Sequence, residues 1–423
     1  MLDIKYIREH KKEVLDNCKN RGSKADIELL IKLDAERSIL LGKIENIRAG
    51  KNLIKGKPSQ DQLDKLSEEK STESKLEKEL DKIETELKEI WFSVPNITHP
   101  DVRISDVEDD NPVLEIVKEP LKLNFVPKDH LELAKLHDLI DFDRATKVSG
   151  SKFYYLKNEL AQMEFALIQY ALDITIKNGY TPLSTPDLAK NDILYGLGFN
   201  PRGESTQVYN ISGTDLSLIG TAEITIGGYH AGEVLEEAEL PKKYVAVSHC
   251  FRTEAGSYSK FSKGIFRVHQ FTKIEMFQYV TPENAEKAHQ EILNIEKEIF
   301  SGLEIPYRVI DHCTADLGAP AIRTFDLEAW MPGKPNKDGS MGDWGEITST
   351  SNCTDYQSRA LNIKYKNTKG DKKFVYMING TAIAITRAII AIIENCQQAD
   401  GSIVIPKVLE KYMNKKLIDR SSK

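Results

Sequence analysis

The sequence has 423 residues and a formal net charge of −7, with 40% hydrophobic and 29% charged residues. This composition is typical of a globular chain that is long enough for two domains. No window approaches the roughly 20 apolar residues that a membrane-spanning helix needs, so we expect a cytoplasmic protein with no membrane partner. Because the net charge is negative, any nucleic-acid binding must rest on local basic patches.

The cysteines are scattered along the chain, and none of them forms a C-x-x-C pair. Scattered thiols are typical of proteins from a reducing compartment. The absence of paired spacings argues against a disulfide framework and against a finger-type zinc site. We therefore expect a cytoplasmic setting and no zinc. The five residues are Cys18, Cys250, Cys313, Cys353 and Cys396.

Residues 26–92 contain almost no proline or glycine outside the segment "GKNLIKGKP" at 50–58. Apolar residues on either side of that segment are spaced by threes, fours and sevens, with charged residues between them. They are Leu30, Leu33, Leu40, Ile44 and Ile47 before it, and Leu76, Leu80, Ile83, Leu87 and Ile90 after it. Two such stretches joined by a turn predict an antiparallel helical hairpin. Two ordinary amphipathic helices packed on a core are the alternative.

The helical region ends at "SVPNITHP" (93–100), because proline cannot continue a helix. The acidic run "VEDDNPVLE" (107–115) is typical of a linker, so we predict one domain over 1–105 and a second over 106–423. In the second domain, "KKYVAVSHCF" and "IFRVHQFTKIEMFQYV" predict neighbouring strands, which favours antiparallel pairing. Helices accompany these strands, and we therefore predict an α+β fold.

If residues 264–279 form a strand, charged side chains share one of its faces, because successive side chains alternate. That face carries Arg267, His269, Phe271, Lys273 and Glu275. A core-facing strand would not collect these charges, so the face either meets solvent or lines a polar pocket. The opposite face, with Phe266, Val268, Ile274 and Met276, is the predicted core face.

The segment "TAIAITRAIIAII" (381–393) predicts a helix that is apolar around its whole circumference except at Arg387. Such a helix is buried. A buried guanidinium requires an anionic partner, which is either a protein carboxylate or a ligand phosphate.

Two polar segments complete the set of candidates. In "GTAEI" (220–224), Thr221 is placed to cap a helix whose first turn contains Glu223. In "GEITSTSNCTDYQSR" (345–359), Glu346 precedes a run of hydroxyl residues, which suits Mg²⁺ on a nucleotide. An exposed edge strand is the alternative for the second segment.

At these residues the sequence resembles the seryl-tRNA synthetases, a family of class II aminoacyl-tRNA synthetases. The segments "FRTEAGS" and "GIFRVHQFTKIE" resemble the second signature motif in its seryl form, and "NGTAIAITRAIIAIIE" resembles the third. The segments "LIGTAEI", "CTADLGAPAIRTFDLEAWMP" and "QQADGSIVIPKVL" also match, and the resemblance runs to about residue 412. It implies an antiparallel β-sheet catalytic domain and an N-terminal, tRNA-binding domain with an antiparallel α-helical coiled-coil arm.

The resemblance also implies the activity. Members of the family activate L-serine with ATP to seryl-adenylate, release pyrophosphate, and transfer serine to the 3′ end of serine tRNA as cytoplasmic homodimers. Selenocysteine tRNA is a second acceptor in some organisms, and Mg²⁺ accompanies the ATP. Two alternatives are a carrier-protein ligase, which typically lacks the helical arm, and a non-catalytic relative, in which Arg252, Glu275 or Arg387 would be eroded.

Residue by residue, the resemblance makes Arg252 and Arg387 the catalytic arginines, with Arg252 bridging the serine carboxylate and the α-phosphate. Phe271 and Arg387 would sandwich the adenine. Glu346 and Ser349 would hold Mg²⁺, although strict strand alternation would pair Glu346 with Thr348 instead. The full ATP-binding set is Arg252, Thr253, Glu254, Arg267, Val268, Phe271, Glu346, Ile347, Thr348, Ser349 and Arg387.

Serine selection is carried over to a second group of residues, in which Glu275 and Thr381 would recognise the hydroxyl. The group consists of Thr221, Ala222, Glu223, Arg252, Glu275, Asn379 and Thr381.

Cations near the hairpin tip and in the loop after "RTEAG" would contact tRNA phosphates. They are Lys43, Arg48, Lys51, Lys55, Lys57, Lys260 and Lys263. One departure from the family is the segment 194–210, which replaces the usual "GTGQLPKF" and contains none of the residues named above.

Overall fold

The computed structural model describes residues 1–52, 59–120, 123–199, 207–255 and 262–419. The candidate tRNA contacts Lys55, Lys57 and Lys260 lie outside these residues, as does part of the atypical segment 194–210. The chain forms two compact units, Met1–Ile97 and Thr98–Lys423.

The first unit is helical and consists of α1 (Ile4–Glu9), α2 (Lys11–Asn20), α3 (Ile27–Asn52) and α4 (Gln60–Ser93). The two long helices are antiparallel: Arg37 of α3 pairs with Glu84 of α4 at 2.8 Å, whereas Arg48 pairs with Glu73 at 2.7 Å. The predicted apolar stripe lies between the helices, with Leu30, Leu33, Leu40, Ile44 and Leu87 all buried. The predicted hairpin is therefore confirmed.

The start and end of α4 follow from the local sequence. Ser59 accepts a hydrogen bond from the backbone N–H of Gln62 at 3.3 Å, while the Gln62 side chain accepts one from the N–H of Ser59 at 2.8 Å. This reciprocal capping box satisfies two N–H groups that the first turn leaves unpaired. The helix ends at Ser93, two residues before Pro95.

The second unit is built on an eight-stranded sheet with the order β1-β10-β11-β12-β15-β9-β8-β4. Every adjacent pair is antiparallel except β4 and β8. The predicted antiparallel α+β fold is confirmed. The strands are β1 (Val113–Val117), β4 (Thr181–Ser184), β8 (Lys242–Phe251), β9 (Gln270–Val280), β10 (Tyr307–Asp311), β11 (Arg323–Pro335), β12 (Met341–Asn352) and β15 (Tyr376–Ala384).

Short strands form smaller sheets beside the main one. They are β2 (Ile140–Asp141) with β3 (Tyr155–Leu156), β5 (Leu188–Lys190) with β6 (Leu216–Leu218), β7 (Val234–Glu236) with β13 (Lys364–Lys366) and β14 (Lys372–Phe374), and β16 (Ile403–Val404) with β17 (Leu417–Ile418). The helices are α5 (His130–His137), α6 (Phe142–Ser149), α7 (Asn158–Lys177), α8 (Asn191–Leu197), α9 (Glu223–Gly227), α10 (Ala285–Gly302), α11 (Tyr356–Leu361), α12 (Ile385–Asn395) and α13 (Lys407–Met413).

The main core lies between the sheet and the helices α7, α10 and α12. Ile274 and Met276 of β9 point into it and are completely buried. The neighbouring side chains Phe271, Lys273 and Glu275 point to the other face of the sheet, where they line a cavity. Among the described helices, none is both long and apolar enough to cross a membrane.

Two predicted element boundaries are wrong. The strand expected over 264–279 begins only at Gln270, because Gly264 has a φ of +60° and the chain turns through 264–267. The helix expected from Thr381 begins at Ile385, and Thr381 belongs to strand β15. The apolar pattern of "TAIAI" does not distinguish a buried strand end from a buried helix start, since both exclude polar side chains.

Candidate active site

A cavity of about 280 Å³ lies over strands β9, β12 and β15, beside the first turns of α9 and α12. Most of the predicted serine and ATP residues line it: Thr221, Glu223, Arg252, Glu254, Arg267, Val268, Phe271, Glu275, Glu346, Ile347, Thr348, Ser349, Asn379, Thr381 and Arg387. Ala222 is completely buried at the start of α9. The backbone N–H of Thr253 donates to Gln207 at 3.0 Å. Neither Ala222 nor Thr253 belongs to the described lining.

One end of the cavity is organised around the carboxylate of Glu275, which is 1% exposed. The hydroxyls of Thr221 and Thr381 both donate to Oε2 of Glu275 at 3.3 Å. The ammonium of Lys273 lies 2.6 Å from the same oxygen. Donors from three different elements of the sequence therefore converge on one carboxylate oxygen, which fixes the orientation of this side chain.

Glu223 lies in the same end of the cavity, in the first turn of α9. Its Oε1 accepts hydrogen bonds from Nε2 of Gln357 at 2.8 Å and from Nδ2 of Asn379 at 3.2 Å. Burial and the nearby charge of Glu275 raise the pKa of Glu223 to about 7. A carboxyl with this pKa readily loses its proton to gain a cationic partner such as an ammonium group.

The other end of the cavity carries arginines. Nη1 of Arg387 lies 3.0 Å from Oε2 of Glu346 and also donates to the backbone oxygen of Glu346 at 3.0 Å. Its guanidinium stacks on Phe266, 4.9 Å from the ring centre. Although the Glu346 side chain is 46% exposed, partial desolvation alone would raise its pKa; Arg387, followed by Arg252 and His312, instead lowers the pKa to about 2. In this structure the anionic partner of Arg387 is thus the carboxylate of Glu346, and both side chains face the cavity.

Arg252 lies between the two ends. Its Nε donates to the backbone oxygen of Gly220 at 3.3 Å, and its guanidinium is 5.3 Å from the centre of the Phe271 ring. Phe271, one of the two residues expected to sandwich adenine, is therefore stacked with Arg252, while Arg387 is stacked with Phe266.

Arg267 and Glu254 form a further ion pair in the cavity, at 3.4 Å. Glu254 adopts a φ of +52°, which a non-glycine residue rarely takes and which is common at ligand-binding sites. Within the described parts of the chain, the buried Nε of Arg267 has no hydrogen-bond partner. A buried donor of this kind suits an anionic ligand.

A β-bulge decides which hydroxyl accompanies Glu346. On the neighbouring strand β11, Glu328 lies opposite Glu346 and Asp326 lies opposite Ser349, so that Ile347 is the extra residue. Because the bulge shifts the alternation by one, Glu346 and Ser349 point to the same side. The hydroxyl of Thr348 points to the other side, where it donates to Oε2 of Glu296 at 2.8 Å. The expectation from strict alternation, which paired Glu346 with Thr348, is therefore wrong.

A second irregularity shapes the serine end. Glu275 lies opposite Thr381 and Lys273 lies opposite Ala384, so that one extra residue is accommodated in β15 between these pairs. Thr381 and Ala384 consequently both line the cavity, although an ideal strand would point them to opposite sides.

Sequence reasoning missed several lining residues: Phe199, Phe266, Lys273, Ser351, Ala384 and Thr386. Phe266 was assigned to the core face of a strand that does not extend so far, and it contributes to both the core and the cavity. Lys273 shares a strand face with Glu275 in the sequence pattern, and this signal is sufficient to place it in the site. Phe199 belongs to the atypical segment 194–210, which therefore does contribute to the site.

The described tRNA candidates differ in their surroundings. Lys43 is exposed, whereas Arg48 and Lys51 are both paired with Glu73. The ammonium of Lys263 is paired with the carboxylate of Asp129. Across the described ranges, no group of three or more His, Cys, Asp and Glu residues is arranged to hold a metal ion.

Comparison with known proteins identifies the family. Residues 208–396 match the tRNA synthetase class II core domain (G, H, P, S and T), and residues 1–98 match the seryl-tRNA synthetase N-terminal domain. The chain is 49% identical to the serine–tRNA ligase of Treponema denticola over 420 residues, which cover 97% of this chain and 98% of that protein. The chain belongs to the seryl-tRNA synthetase family.

Relatives at the level of structure agree with this assignment to the seryl-tRNA synthetases. The crystal structure of seryl-tRNA synthetase from Pyrococcus horikoshii complexed with ATP has a TM-score of 0.85 and 38% identity, covering 99% of each chain. The serine–tRNA ligase of Naegleria fowleri in complex with AMP has a TM-score of 0.83 and 32% identity, covering 100% of this chain and 99% of that one. In sequence, the serine–tRNA ligase of Dictyoglomus turgidum is 48% identical over 423 residues, which cover 98% of both chains.

Proposed function

We propose that the protein activates L-serine with ATP and transfers it to the 3′ end of serine tRNA. The observation that carries this proposal is one cavity with two chemically different ends. Glu275 and Glu223 supply carboxylates at one end, and Arg387 and Arg267 supply guanidinium groups toward the other, with Arg252 between them. An amino acid and a nucleoside triphosphate bound side by side require this division of charge.

In the first step, a carboxylate oxygen of serine attacks the α-phosphorus of ATP as the bond to the pyrophosphate oxygen breaks. The products are seryl-adenylate and pyrophosphate. Two anions must approach each other, and the fork of Arg252 can contact both while its Nε is held by the oxygen of Gly220. Arg267 and Arg387 neutralise the charge that accumulates on the departing pyrophosphate. In the second step, a terminal ribose hydroxyl of tRNA attacks the seryl carbonyl and releases AMP.

Serine is recognised at the end that contains Glu223 and Glu275. The ammonium group of serine pairs with the carboxylate of Glu223, aided by Asn379, and its hydroxyl donates to Glu275 beside Thr381. A site built to bind a hydroxyl leaves polar groups unpaired when alanine enters. Such sites reject the analogue by about 10⁴–10⁵-fold.

Glu346 and Ser349 would hold Mg²⁺ on the ATP phosphates. Both offer oxygen atoms on one side of β12, and the low pKa of Glu346 keeps its carboxylate ionised, as this cation requires. The ion supplies charge neutralisation on the phosphates when it is bound. The adenine ring would lie against Phe271, with the backbone of Val268 and the side chain of Glu254 at its edge.

We further propose that residues 1–105 bind tRNA through the helical arm and that residues 106–423 carry the catalysis.

The protein would act in the cytoplasm as a homodimer. Apolar side chains at the surface support a second copy as partner: Leu114 and Ile116 on the edge strand β1 are 52% and 50% exposed, and Phe165 on α7 is 71% exposed. Sedimentation analysis would show a monomer if this part of the proposal is wrong.

Serine-dependent exchange of pyrophosphate into ATP tests the main proposal. We expect exchange with serine, and we expect the rate with alanine or threonine to be lower by at least about 10³-fold. Equal exchange with another amino acid would exclude serine specificity. Charging of serine tRNA then separates this function from that of a carrier-protein ligase, which would support exchange without aminoacylating tRNA.

A further inference from the structure

Lys273 is a buried cation in the serine end of the cavity, and none of the roles assigned above includes it. It is 7% exposed and lies on β9 between Phe271 and Glu275, on the face that lines the cavity. Its ammonium is 2.6 Å from Oε2 of Glu275 and donates to the hydroxyl of Thr381 at 3.2 Å. A buried lysine is rarely found without a specific partner.

The contacts of Glu275 are divided unequally between its two oxygens. Lys273, Thr221 and Thr381 all approach Oε2. A carboxylate oxygen has two lone pairs, so three donors leave no room for another on this atom. In the described part of the chain, every hydrogen bond to this carboxylate falls on Oε2. Oε1 is therefore the atom that remains to accept a hydrogen bond from a ligand hydroxyl.

The surrounding charges make a cation at this position necessary. The carboxylates of Glu223 on α9 and of Glu296, which is buried on α10 against the other side of the sheet, both interact electrostatically with Glu275. Arg252 also lines the cavity, and the buried thiol of Cys250 interacts electrostatically with Lys273, Arg252 and Glu275. Among the described residues, Lys273 is the cation paired with Glu275, and its removal would leave a buried carboxylate without a charged partner, which is energetically costly.

We propose that Lys273 is a positioning residue for the selection of serine. It acts through Glu275, whose Oε2 it engages, so that Oε1 is turned to accept a hydrogen bond from the serine hydroxyl. Lys273 does not contact the reacting atoms. This inference rests on the proposed activation of serine.

The variants that test the proposal are Lys273→Met, Glu275→Gln and the double variant, measured by pyrophosphate exchange with serine and with alanine. Lys273→Met should lower kcat/KM for serine by about 100-fold or more, which corresponds to the loss of a charge-assisted hydrogen bond. The value for alanine, which has no hydroxyl to place, should change by less than about threefold. The KM for ATP should also stay within about threefold of the wild type.

The double variant separates positioning from a purely structural role. If Lys273 acts only through the charge of Glu275, its loss in the Glu275→Gln background should cost no more than about threefold in kcat/KM for serine. Additive losses, an unchanged ratio of serine to alanine, or a rise in the KM for ATP that parallels the loss for serine would each overturn the proposal.

A second substitution protects the test from a folding failure. Lys273→Gln retains a hydrogen-bond donor, on a side chain one bond shorter and without the charge, and we expect it to lose serine selectivity in the same way as Lys273→Met. Retention of full selectivity by Lys273→Gln would contradict a role for the charge. The wild-type protein is measured first, and absence of serine-dependent exchange there would refute the proposed function. If the wild type exchanges normally and the Lys273 variants keep the same selectivity for serine over alanine, this inference alone is refuted.

Discussion

Glu346 and Ser349 share one side of strand β12, although they are three positions apart in sequence. The bulge at Ile347 brings them together and turns the hydroxyl of Thr348 toward Glu296 on the other side. The local irregularity of one strand therefore selects which of two neighbouring hydroxyls reaches the phosphate end of the cavity.

Replacing Ser349 by alanine tests this selection. Loss of one oxygen ligand should raise the KM for ATP and the Mg²⁺ concentration needed for half-maximal exchange by about 10-fold to 100-fold, as for a lost hydrogen bond to a charged group. Ser351→Ala is the matched control, because Ser351 lies on the same strand and also lines the cavity, but its hydroxyl is already hydrogen-bonded to Thr324 at 2.8 Å. An equal effect of both substitutions would contradict the assignment of Ser349.

Arg252 gives the prediction with the largest effect. Arg252→Ala should lower serine-dependent exchange by about 10²–10³-fold or more, because the two reacting anions lose the group that brings them together. Arg252→Lys keeps the charge but loses the planar fork, and we expect most of the same loss. A lysine variant with near-normal exchange would show that charge alone suffices. Thermal unfolding should be measured alongside to confirm that both variants are folded.

The raised pKa of Glu223 leads to a prediction about the pH dependence of serine binding. Its pKa, raised to about 7, means that the free protein carries a proton on Glu223 below pH 7 and loses it above. The serine ammonium requires the ionised form, so binding near neutral pH should release a proton. The KM for serine should rise by about tenfold between pH 8 and pH 6, while the KM for ATP should change much less.

Glu223→Gln provides the control for this pH dependence. The variant should bind serine weakly, and its KM for serine should be flat across the same range, since the titrating group is gone. A KM that is flat in the wild type, or one that still varies in Glu223→Gln, would assign the ionisation to another group.

Shortening the helical arm tests the separate roles of the two domains. Replacing residues 41–80 by a short glycine-containing turn removes the distal arm but keeps the Arg37–Glu84 pair that joins its two helices. Serine-dependent exchange should remain within about threefold, whereas charging of serine tRNA should fall by about 100-fold or more, because several phosphate contacts are lost together. If exchange and charging fell together, the proposed division of roles would be wrong.

Much of the fold follows from patterns that are local in sequence. The spacing of Leu30, Leu33, Leu40 and Ile44 predicts the long helix α3, since a helix brings such residues to one side. The apolar stretch after Arg387 predicts a buried helix, and α12 is buried. Prediction was poorer at the ends of elements, as at residues 264–269 and 381–384, where an apolar run does not reveal whether the chain is extended or turning.

The sequence by itself determined the helical arm, the α+β class of the second unit and the types of charged residue that line its cavity, because these depend on periodicity and composition. Only the tertiary structure decided which of those side chains meet. The bulges at Ile347 and in β15 change the facing of side chains, and they depend on pairing with neighbouring strands that are distant in sequence. The convergence of Thr221, Lys273 and Thr381 on one oxygen of Glu275 likewise requires separate segments to be packed together.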